Sequence, residues 1–505
     1  MILERSCGVL LHPTSLPGAY GIGDFGPEAR RYLRWLADSG VRWWQVLPLQ
    51  VAGPENSPYS ARSTFAGNRL LISPDLLAQE GLLAEEDLAD LPFFSKQRVD
   101  YERAIPFKRA LLRRAWLRFN RSPPADLAGE LAELRKRSPW LADYALYAAL
   151  REAHFGAPWY EWPAELALRR PSALSAWQAE HMEEVEQQEF CQFLFAHQWG
   201  SLRDHAHGLG LRILGDMPLF MAYDSAEVWA HRELFLLDER GRPTVVAGVP
   251  PDYFSTLGQL WGNPLYDWKA LERTGYAWWI DRLRHLLELV DLVRLDHFRG
   301  FMAHWEIPAA ESTATNGRWR PGPGHKLFDA IRARLGGLPL VAEDLGDISD
   351  DVVALREWLD LPGMAVLQFA FAPEPRSGFL PYNHERNQVV YTGTHDNNTT
   401  VGWYRDDAST AEKDFARRYL ATDGSEIHWD MIRLALSSVA NLAVIPHQDI
   451  AGIGSEGRMN QPGLASGNWR FRLTDAMLAP AHQRRLAELI WTYGRRGLPE
   501  TSDYT

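Results

Sequence analysis

The chain has 505 residues, of which 46% are hydrophobic and 23% charged, and its formal net charge at pH 7 is −12. That length predicts either a few domains or one barrel with insertions. The acidic balance and the lack of a basic run argue against nucleic acid or an anionic membrane as the main partner. With no signal peptide, no long apolar span and only two scattered cysteines, a cytoplasmic location is expected.

Eight short apolar runs recur along the chain, and helical patterns lie between many of them. The runs cover residues 7–12, 41–48, 211–218, 290–298, 338–346, 364–371, 388–396 and 441–449. Near-continuous apolar runs are typical of parallel strands that are buried on both faces. Amphipathic patterns such as 27–40, which begins on Pro27 and ends on Gly40, predict the intervening helices. The alternation predicts an α/β fold, a (β/α)8 TIM barrel.

One connection, between the second and third predicted strands, is too long to be a plain connection within such a barrel. Residues 49–210 separate the second and third predicted strands and show mostly helical patterns, which predicts a helical insertion. Smaller insertions are expected at about 223–275 and about 298–324, on the C-terminal face of the barrel. We therefore expect a single catalytic barrel over residues 1–505 that contains all three insertions.

Polar residues follow most of the predicted strands, at the barrel end where active sites of this fold lie. They are His12, Asp216, Asp296, Glu343, Asp396 and Asp449. A carboxylate in aliphatic surroundings is costly unless it is paired, hydrogen-bonded or open to a cleft. Each one alone could be a structural ion pair or a helix cap, but their repetition predicts a ring of carboxylates around the barrel mouth.

A ring of carboxylates suits the cleavage of glycosidic bonds. The oxocarbenium-like transition state uses one ionised carboxylate as nucleophile and a second, protonated carboxyl group as general acid. Crowding keeps one of them protonated, because adjacent like charges resist joint ionisation. Metal catalysis is the alternative, but the sequence contains no HExxH, no EF-hand and no His-x-His pair at a strand end. We therefore expect neither a metal nor a cofactor.

Longer motifs narrow the prediction to one family. VRLDHFRGF (293–301), VAEDLG (341–346) and GTHDNNT (393–399) resemble the α-amylase clan in order and context. HPTSLPG (12–18), SPYSARSTFAGN (57–68), GDMPLFMAYDSAEVW (215–229), GVPPDYFSTLGQLWGNPLYDW (248–268) and GRMNQPG (457–463) are more specific. Together they resemble the amylomaltases, the 4-α-glucanotransferases of glycoside hydrolase family 77. The resemblance extends from about residue 8 to 495 and is weakest at 80–200.

The resemblance implies a (β/α)8 enzyme that transfers α-1,4-glucan segments with retention, including disproportionation and cyclisation of malto-oligosaccharides. In this reading Asp296 is the nucleophile, Glu343 the general acid/base and Asp396 the transition-state stabiliser. The expected partners are malto-oligosaccharides and the chains of amylose, starch or glycogen.

Other residues are expected to bind substrate or to orient the carboxylates. They are Tyr59, Asp216, Tyr253, Phe254, Gln259, Trp261, Arg294, His297, His395 and Asn460. Arg294 lies two residues before Asp296, so on a strand both point to the same face, and the guanidinium would hold the nucleophile ionised. The alternatives are a purely structural salt bridge for Arg294, a core histidine for His395 and ordinary packing for the others.

The segment 248–268 bears on whether a sugar or a water molecule accepts the transferred glucan. Glycine and proline surround Tyr253, Phe254 and Trp261, which makes packing in a helix or strand less expected there. We interpret the segment as a mobile flap with aromatic faces for glucan chains; a static aromatic cluster is the alternative. A closing loop favours sugar over water as acceptor. The alternative functions are an α-1,4-glucan hydrolase and a non-catalytic glucan-binding protein.

Overall fold

The computed structural model of the chain describes residues 3–251, 256–372, 377–464 and 466–496. These ranges contain twelve strands. They are β1 (Ser6–Leu10), β2 (Trp43–Gln45), β3 (Arg212–Met217), β4 (Val245–Val249), β5 (Gln259–Pro264), β6 (Leu292–Leu295), β7 (Ala303–Pro308), β8 (Arg318–Pro321), β9 (Leu340–Ala342), β10 (Gly363–Val366), β11 (Gln388–Tyr391) and β12 (Leu442–Pro446). The 8-stranded sheet has the order β10-β11-β12-β1-β2-β3-β6-β9 and its pairs are parallel.

The two end strands of this sheet, β9 and β10, approach each other and nearly close it into a barrel. The Ala342 N–H donates to the carbonyl of Pro362 at 2.9 Å. The Met364 N–H donates to the Asp344 carboxylate at 2.7 Å, so a side chain completes the seam where the strand ladder stops. Each barrel strand falls within one of the eight apolar runs or overlaps it, and the predicted (β/α)8 barrel is confirmed.

Helices surround the barrel and fill the connections. They are α1 (Pro27–Asp38), α2 (Pro74–Gln79), α3 (Tyr101–Arg121), α4 (Ala125–Arg137), α5 (Trp140–Ala153), α6 (Ala164–Ala167), α7 (Pro171–Glu180), α8 (Met182–Gly208), α9 (Ala226–Ala230), α10 (Trp268–Arg273), α11 (Ala277–Leu289), α12 (His325–Leu335), α13 (Asp350–Trp358), α14 (Thr400–Gly402), α15 (Thr410–Leu420), α16 (Ile427–Ser437), α17 (His447–Ile450) and α18 (Pro480–Thr492). Among the helices described, none is both long and apolar enough to cross a bilayer.

The connection from β2 to β3 contains α2 to α8 and is fixed to the barrel by a buried ion pair. Lys108 of α3 donates to the carboxylate of Asp24 at 2.8 Å and to the carbonyls of Leu70 and Ile72 at 2.8 and 3.0 Å. All three ammonium protons have acceptors, which offsets the cost of burying the charge. The insertion is therefore held rigidly beside the barrel mouth.

A second, 4-stranded antiparallel sheet with the order β5-β4-β7-β8 stands at the rim of the barrel mouth. Its strands come from the long connections that follow β3 and β6. The expectation that glycine and proline keep segment 248–268 out of a strand is wrong for β5, which includes Trp261. Gly262 adopts a φ of 77° and the pairing with β4 shifts in register, so a bulge accommodates the glycine without ending the strand. Tyr253 and Phe254 lie outside the described residues.

Candidate active site

Strand β6 presents Arg294 and, immediately after its last residue, Asp296 to the barrel mouth. The Asp296 N–H donates to the Met217 carbonyl at 3.0 Å, which extends the β3–β6 ladder by one residue. Nη1 of Arg294 donates to Oδ1 of Asp296 at 2.9 Å, while the Asp296 side chain stays 30% exposed. The guanidinium thus orients a carboxylate that still faces the cleft.

The same guanidinium nitrogen also holds the carboxylate at the end of β3. Nη1 of Arg294 donates to both oxygens of Asp216, at 3.0 and 2.9 Å, and the Tyr59 hydroxyl donates to Oδ2 at 2.9 Å. Burial raises the pKa of Asp216, and the Arg294 guanidinium opposes that rise. The ring of Tyr59 stacks on the imidazole of His395, with centroids 4.8 Å apart and planes inclined by 10°. Tyr59 therefore links the insertion after β2 to the residues that follow β11.

Glu343 follows strand β9 and is held by backbone donors. The His297 N–H donates to Oε2 at 2.7 Å and the Leu345 N–H donates to Oε1 at 3.1 Å. His297 has a φ of 54°, which is rare for a residue with a Cβ, and this conformation is part of the turn that supplies its N–H to Glu343. Burial raises the pKa of Glu343 to about 7; Arg294 opposes the rise and Asp296 adds to it. A carboxyl group of this kind can exchange its proton near neutral pH.

Asp396 lies on the loop that leaves β11 and is held from the side by the chain around 458–460. Asn460 Nδ2 donates to Oδ1 of Asp396 at 2.6 Å, and Nε2 of His395 lies 3.4 Å from the same oxygen. The Asp396 side chain is 45% exposed. Nη2 of Arg458 donates to the Asp396 carbonyl at 2.7 Å and Nε donates to the Asn460 carbonyl at 2.9 Å. These bonds fix the backbone while the carboxylate faces the cleft.

The rim sheet brings three further candidates together beside Glu343. The Trp261 ring meets the edge of His297 at 4.9 Å between centroids, and its Nε1 donates to Oε1 of Gln259 at 3.1 Å. Trp261 is 39% exposed. Burial lowers the pKa of His297 to about 4, and burial also lowers the pKa of His395, so both imidazoles are neutral at pH 7. Neutral imidazoles can hydrogen-bond sugar hydroxyls without adding charge.

Asp449 differs from the other carboxylates at the strand ends because its hydrogen bonds come from threonines and not from the residues around Arg294. It is fully buried and accepts three hydrogen bonds: from Thr392 Oγ1 at 2.6 Å, Thr400 N–H at 2.7 Å and Thr400 Oγ1 at 2.8 Å. Burial raises its pKa. These bonds tie the end of β12 to the loop after β11, so Asp449 joins neighbouring loops and does not belong to the open part of the predicted ring.

Sequence reasoning did not single out Arg458, although its motif, GRMNQPG, was among those noted. A lone arginine in a glycine-rich loop gives no signal that its side chain reaches the carbonyl of Asp396. His12 does follow β1 as expected and lies buried near His395; burial lowers its pKa to about 3. Within the described ranges, no cluster of three or more histidines, cysteines or acidic residues is arranged to hold a metal ion.

Comparison with known proteins covers nearly the whole chain. A family model described as 4-alpha-glucanotransferase, of glycoside hydrolase family 77, matches residues 11–478. The 4-alpha-glucanotransferase of Thermus thermophilus is 52% identical over 495 residues, 96% of this chain and 98% of the relative. That of Synechocystis is 48% identical over 501 residues, 98% of this chain and 99% of the relative.

A solved structure agrees with these relatives. The amylomaltase from Streptococcus agalactiae in complex with acarbose superposes with a TM-score of 0.94 at 34% identity, covering 97% of this chain and 100% of that one. The family expected from the motifs is thereby confirmed, in sequence and in fold. The chain belongs to the 4-alpha-glucanotransferases of glycoside hydrolase family 77.

Proposed function

We propose that this chain performs its family's transfer reaction with Asp296 as nucleophile, Glu343 as general acid/base and Asp396 as stabiliser of the transition state. Family membership makes it a 4-α-glucanotransferase and favours transfer over the hydrolase alternative. The observation that supports the residue assignment is the contrast between two neighbouring carboxyl groups. Asp296 is ion-paired with Arg294, whereas burial raises the pKa of Glu343 to about 7. One is suited to attack and the other to donate a proton.

In the first step, Asp296 attacks the anomeric carbon of the donor glucan. Oδ1 accepts the hydrogen bond from Arg294, so we assign Oδ2 as the attacking oxygen. Protonated Glu343 gives its proton to the glycosidic oxygen as the bond between carbon and oxygen breaks. The products of this step are a glycosyl ester on Asp296, a glucan with a free 4-hydroxyl, and an ionised Glu343.

In the second step, the ionised Glu343 removes the proton from the 4-hydroxyl of an acceptor glucan. The acceptor oxygen attacks the anomeric carbon and Asp296 leaves as a carboxylate, which regenerates both groups. Two inversions give net retention. A pKa of about 7 allows Glu343 to act as acid and then as base without a large cost in either step.

The remaining residues are proposed to hold the donor sugar. Nε2 of the neutral His395 lies 3.4 Å from Oδ1 of Asp396 at the mouth, where the carboxylate can accept hydrogen bonds from sugar hydroxyls and the imidazole can donate or accept them. The ring of Tyr59 stacks on His395 and would limit its rotation. The Asp396 carboxylate faces the cleft, and its negative charge would stabilise the positive charge that develops on the sugar ring.

The family relationship also bears on the substrates and on the cellular location. We propose malto-oligosaccharides and the chains of amylose, starch or glycogen as donors and acceptors, with disproportionation and cyclisation as products of the same chemistry, and a cytoplasmic location. We also propose that residues 1–505 act as one catalytic unit, in which about 49–210, 223–275 and 298–324 are insertions. The parallel pairing of β1 with β12 supports this division, since it joins the first and last strands of one barrel.

Incubation with pure maltotriose tests the proposed function. Transfer conserves the number of reducing ends while it redistributes chain lengths, whereas hydrolysis creates one new reducing end for each bond cleaved. We expect glucose and longer oligosaccharides to appear with a nearly constant number of reducing ends. A rise in reducing ends equal to the bonds broken would contradict transfer, and turnover by D296N equal to that of the unaltered chain would contradict the residue assignment.

A further inference from the structure

One exposed tryptophan at the barrel mouth has no role in the reaction described above. Trp319 lies on β8, the edge strand of the rim sheet, and is 39% exposed. Exposure alone assigns it no use, since Trp358 and Trp491 are more exposed, at 45% and 71%. Its position on the rim sheet, in contact with Arg299 of the turn that follows Asp296, distinguishes it from them.

Trp319 is held in one orientation by two neighbours. The guanidinium carbon of Arg299 lies 4.2 Å from the centroid of the indole ring, in a cation–π contact. Trp305, directly opposite on β7, meets the ring nearly at right angles, with centroids 5.2 Å apart and planes inclined by 71°. The indole is therefore fixed before any ligand binds, which reduces the entropy that binding would cost.

Arg299 joins Trp319 to the segments that follow the two catalytic residues, Asp296 and Glu343. It follows Asp296 by three residues in the turn that contains His297, and its Nη1 donates to the carbonyl of Asp347, four residues beyond Glu343. Glu343 protonates the departing oxygen in the proposed reaction, so its side of the cleft receives the leaving and accepting chains. Trp319 thus stands on the acceptor side of the rim.

The distance along the rim sheet fits an oligosaccharide. Trp261 lies on β5 and Trp319 on β8, three strand positions apart in the order β5-β4-β7-β8. At about 4.8 Å per position, the two strands are about 14 Å apart. A single glucose cannot reach from one to the other, whereas an acceptor of several units can.

The two residues beside Trp319 on β8 hold the edge strand against β7. Arg318 and Arg320 of β8 both donate to Oε1 of Glu306, with their Nε atoms at 2.7 and 3.1 Å. Both guanidinium groups remain largely exposed. Because side chains alternate along a strand, this cluster occupies the face opposite Trp319, where it fixes the edge strand and leaves the face of the indole to Trp305 and Arg299.

We propose that Trp319 is a stacking platform for a distal unit of the acceptor glucan, several units beyond the sugar that receives the transferred segment. The proposal rests on the function proposed above and extends it to acceptor length. An indole face matches the apolar face of a pyranose ring, and the contact adds affinity only for acceptors long enough to reach it. It predicts that this chain uses oligosaccharide acceptors better than glucose partly through Trp319.

Kinetics with a maltosyl fluoride donor separate effects on acceptor binding from effects on donor cleavage. A maltosyl fluoride donor places no sugar on the acceptor side, because fluoride is the leaving group. For W319A, we expect the KM for maltotetraose as acceptor to rise about 2- to 10-fold, while the KM for glucose as acceptor and the rate of fluoride release stay unchanged. W319F retains an aromatic face and should recover most of the affinity for maltotetraose.

A matched control is available at the other end of the barrel. Trp358 ends α13 just before β10, is 45% exposed, and has the Arg332 guanidinium 5.1 Å from its ring. W358A should alter neither acceptor constant. An unchanged KM for maltotetraose in W319A, or an equal change for glucose and maltotetraose, would overturn the platform and leave the proposed function intact. Failure of the unaltered chain to transfer from the fluoride to glucose would instead contradict the proposed function itself.

Discussion

The end of the barrel and the rim sheet differ in how their functional side chains are held. At the barrel end, Arg294 and Asp216 are buried and bonded to each other, on strands whose ladders fix them to neighbouring strands. On the rim sheet, Trp261 and Trp319 are large, partly exposed rings on the two outer strands. This difference indicates that the charged groups of the reaction are held by the rigid barrel, whereas selection of the acceptor uses surfaces that insertions add to it.

The largest expected effect tests the barrel end. Replacing Asp296 by Asn removes the nucleophile but keeps an oxygen that can accept from Arg294. We expect kcat on maltotriose to fall by roughly 10⁴-fold or more, because no ester can form. Mass spectrometry of the reaction with a glycosyl fluoride should detect no glycosyl-enzyme. Accumulation of a glycosyl-enzyme in D296N would show that another residue is the nucleophile.

The next effect distinguishes proton transfer from nucleophilic attack within the same cleft. E343Q should lower kcat on maltotriose by about 10²- to 10⁴-fold, yet retain formation of the glycosyl-enzyme from a glycosyl fluoride, since fluoride needs little protonation. In the unaltered chain, Glu343 acts as an acid only when protonated. Its pKa is raised to about 7, so kcat/KM should decline as pH rises above about 7.

Two profiles between about pH 5 and about 9 test this decline: kcat/KM for maltotriose in the unaltered chain, and the rate at which E343Q releases fluoride from a glycosyl fluoride. We expect the decline in the first profile and its absence in the second. An alkaline decline that persists in E343Q would assign it to a group other than Glu343.

A smaller effect is expected on the rim sheet. Trp261 contacts the ring of His297, whose N–H holds Glu343, and is itself 39% exposed. W261A should admit water and loosen the acceptor, which lowers the ratio of transfer to hydrolysis by roughly tenfold while the glycosyl-enzyme still forms. The ratio is obtained from reducing ends created per bond cleaved in maltotriose. W491A, on the outer face of α18, serves as the control.

An unchanged ratio of transfer to hydrolysis in W261A would contradict the proposed difference between the barrel end and the rim sheet. Trp261 of the rim sheet would then contribute nothing to the choice between sugar and water. A fall in both reactions by the same factor would place Trp261 with the barrel end, as a support for Glu343.

The barrel and its carboxylates could be predicted from the sequence because their signals are local. Eight buried strands give apolar runs, and a carboxylate directly after such a run, as in Asp296 or Glu343, is visible without any tertiary contact. The bulge that allows β5 to continue through Gly262 gives no such signal, since glycine in a sequence indicates a turn as readily as a bulge.

Long-range contacts account for most of what the sequence could not show. Arg458 reaches the Asp396 carbonyl across 62 positions, and Asp344 completes the barrel seam by accepting from Met364. Within the predicted helical insertion, helical structure is interrupted at His181, which separates α7 from α8. Trp199 of α8 donates to the Leu289 carbonyl at 3.0 Å, so the second helix packs beside α11. Each of these outcomes depends on neighbours that are distant in sequence.

The smallest effect on catalysis is expected for Asp449, and it distinguishes two carboxylates that both follow barrel strands, Asp449 and Asp296. D449N changes a carboxylate that follows a barrel strand, as Asp296 does, but one that is buried and bonded to Thr392 and Thr400. An amide cannot accept all three of its bonds, so the free energy of unfolding should fall by about 1–3 kcal/mol. The kcat of the folded protein should stay within about threefold of the unaltered value, because Asp449 touches no group assigned to the reaction.

Urea unfolding and kcat on maltotriose, measured on D449N and D296N side by side, separate the two kinds of carboxylate. D296N should unfold at nearly the same urea concentration as the unaltered chain, since the Asp296 side chain is 30% exposed and Arg294 keeps Asp216 as its partner. D449N should lose stability and keep its kcat, whereas D296N should keep its stability and lose kcat. A large loss of kcat in fully folded D449N would return Asp449 to the functional ring, and hydrogen bonds that lead only to Thr392 and Thr400 would no longer mark a carboxylate of this barrel as structural.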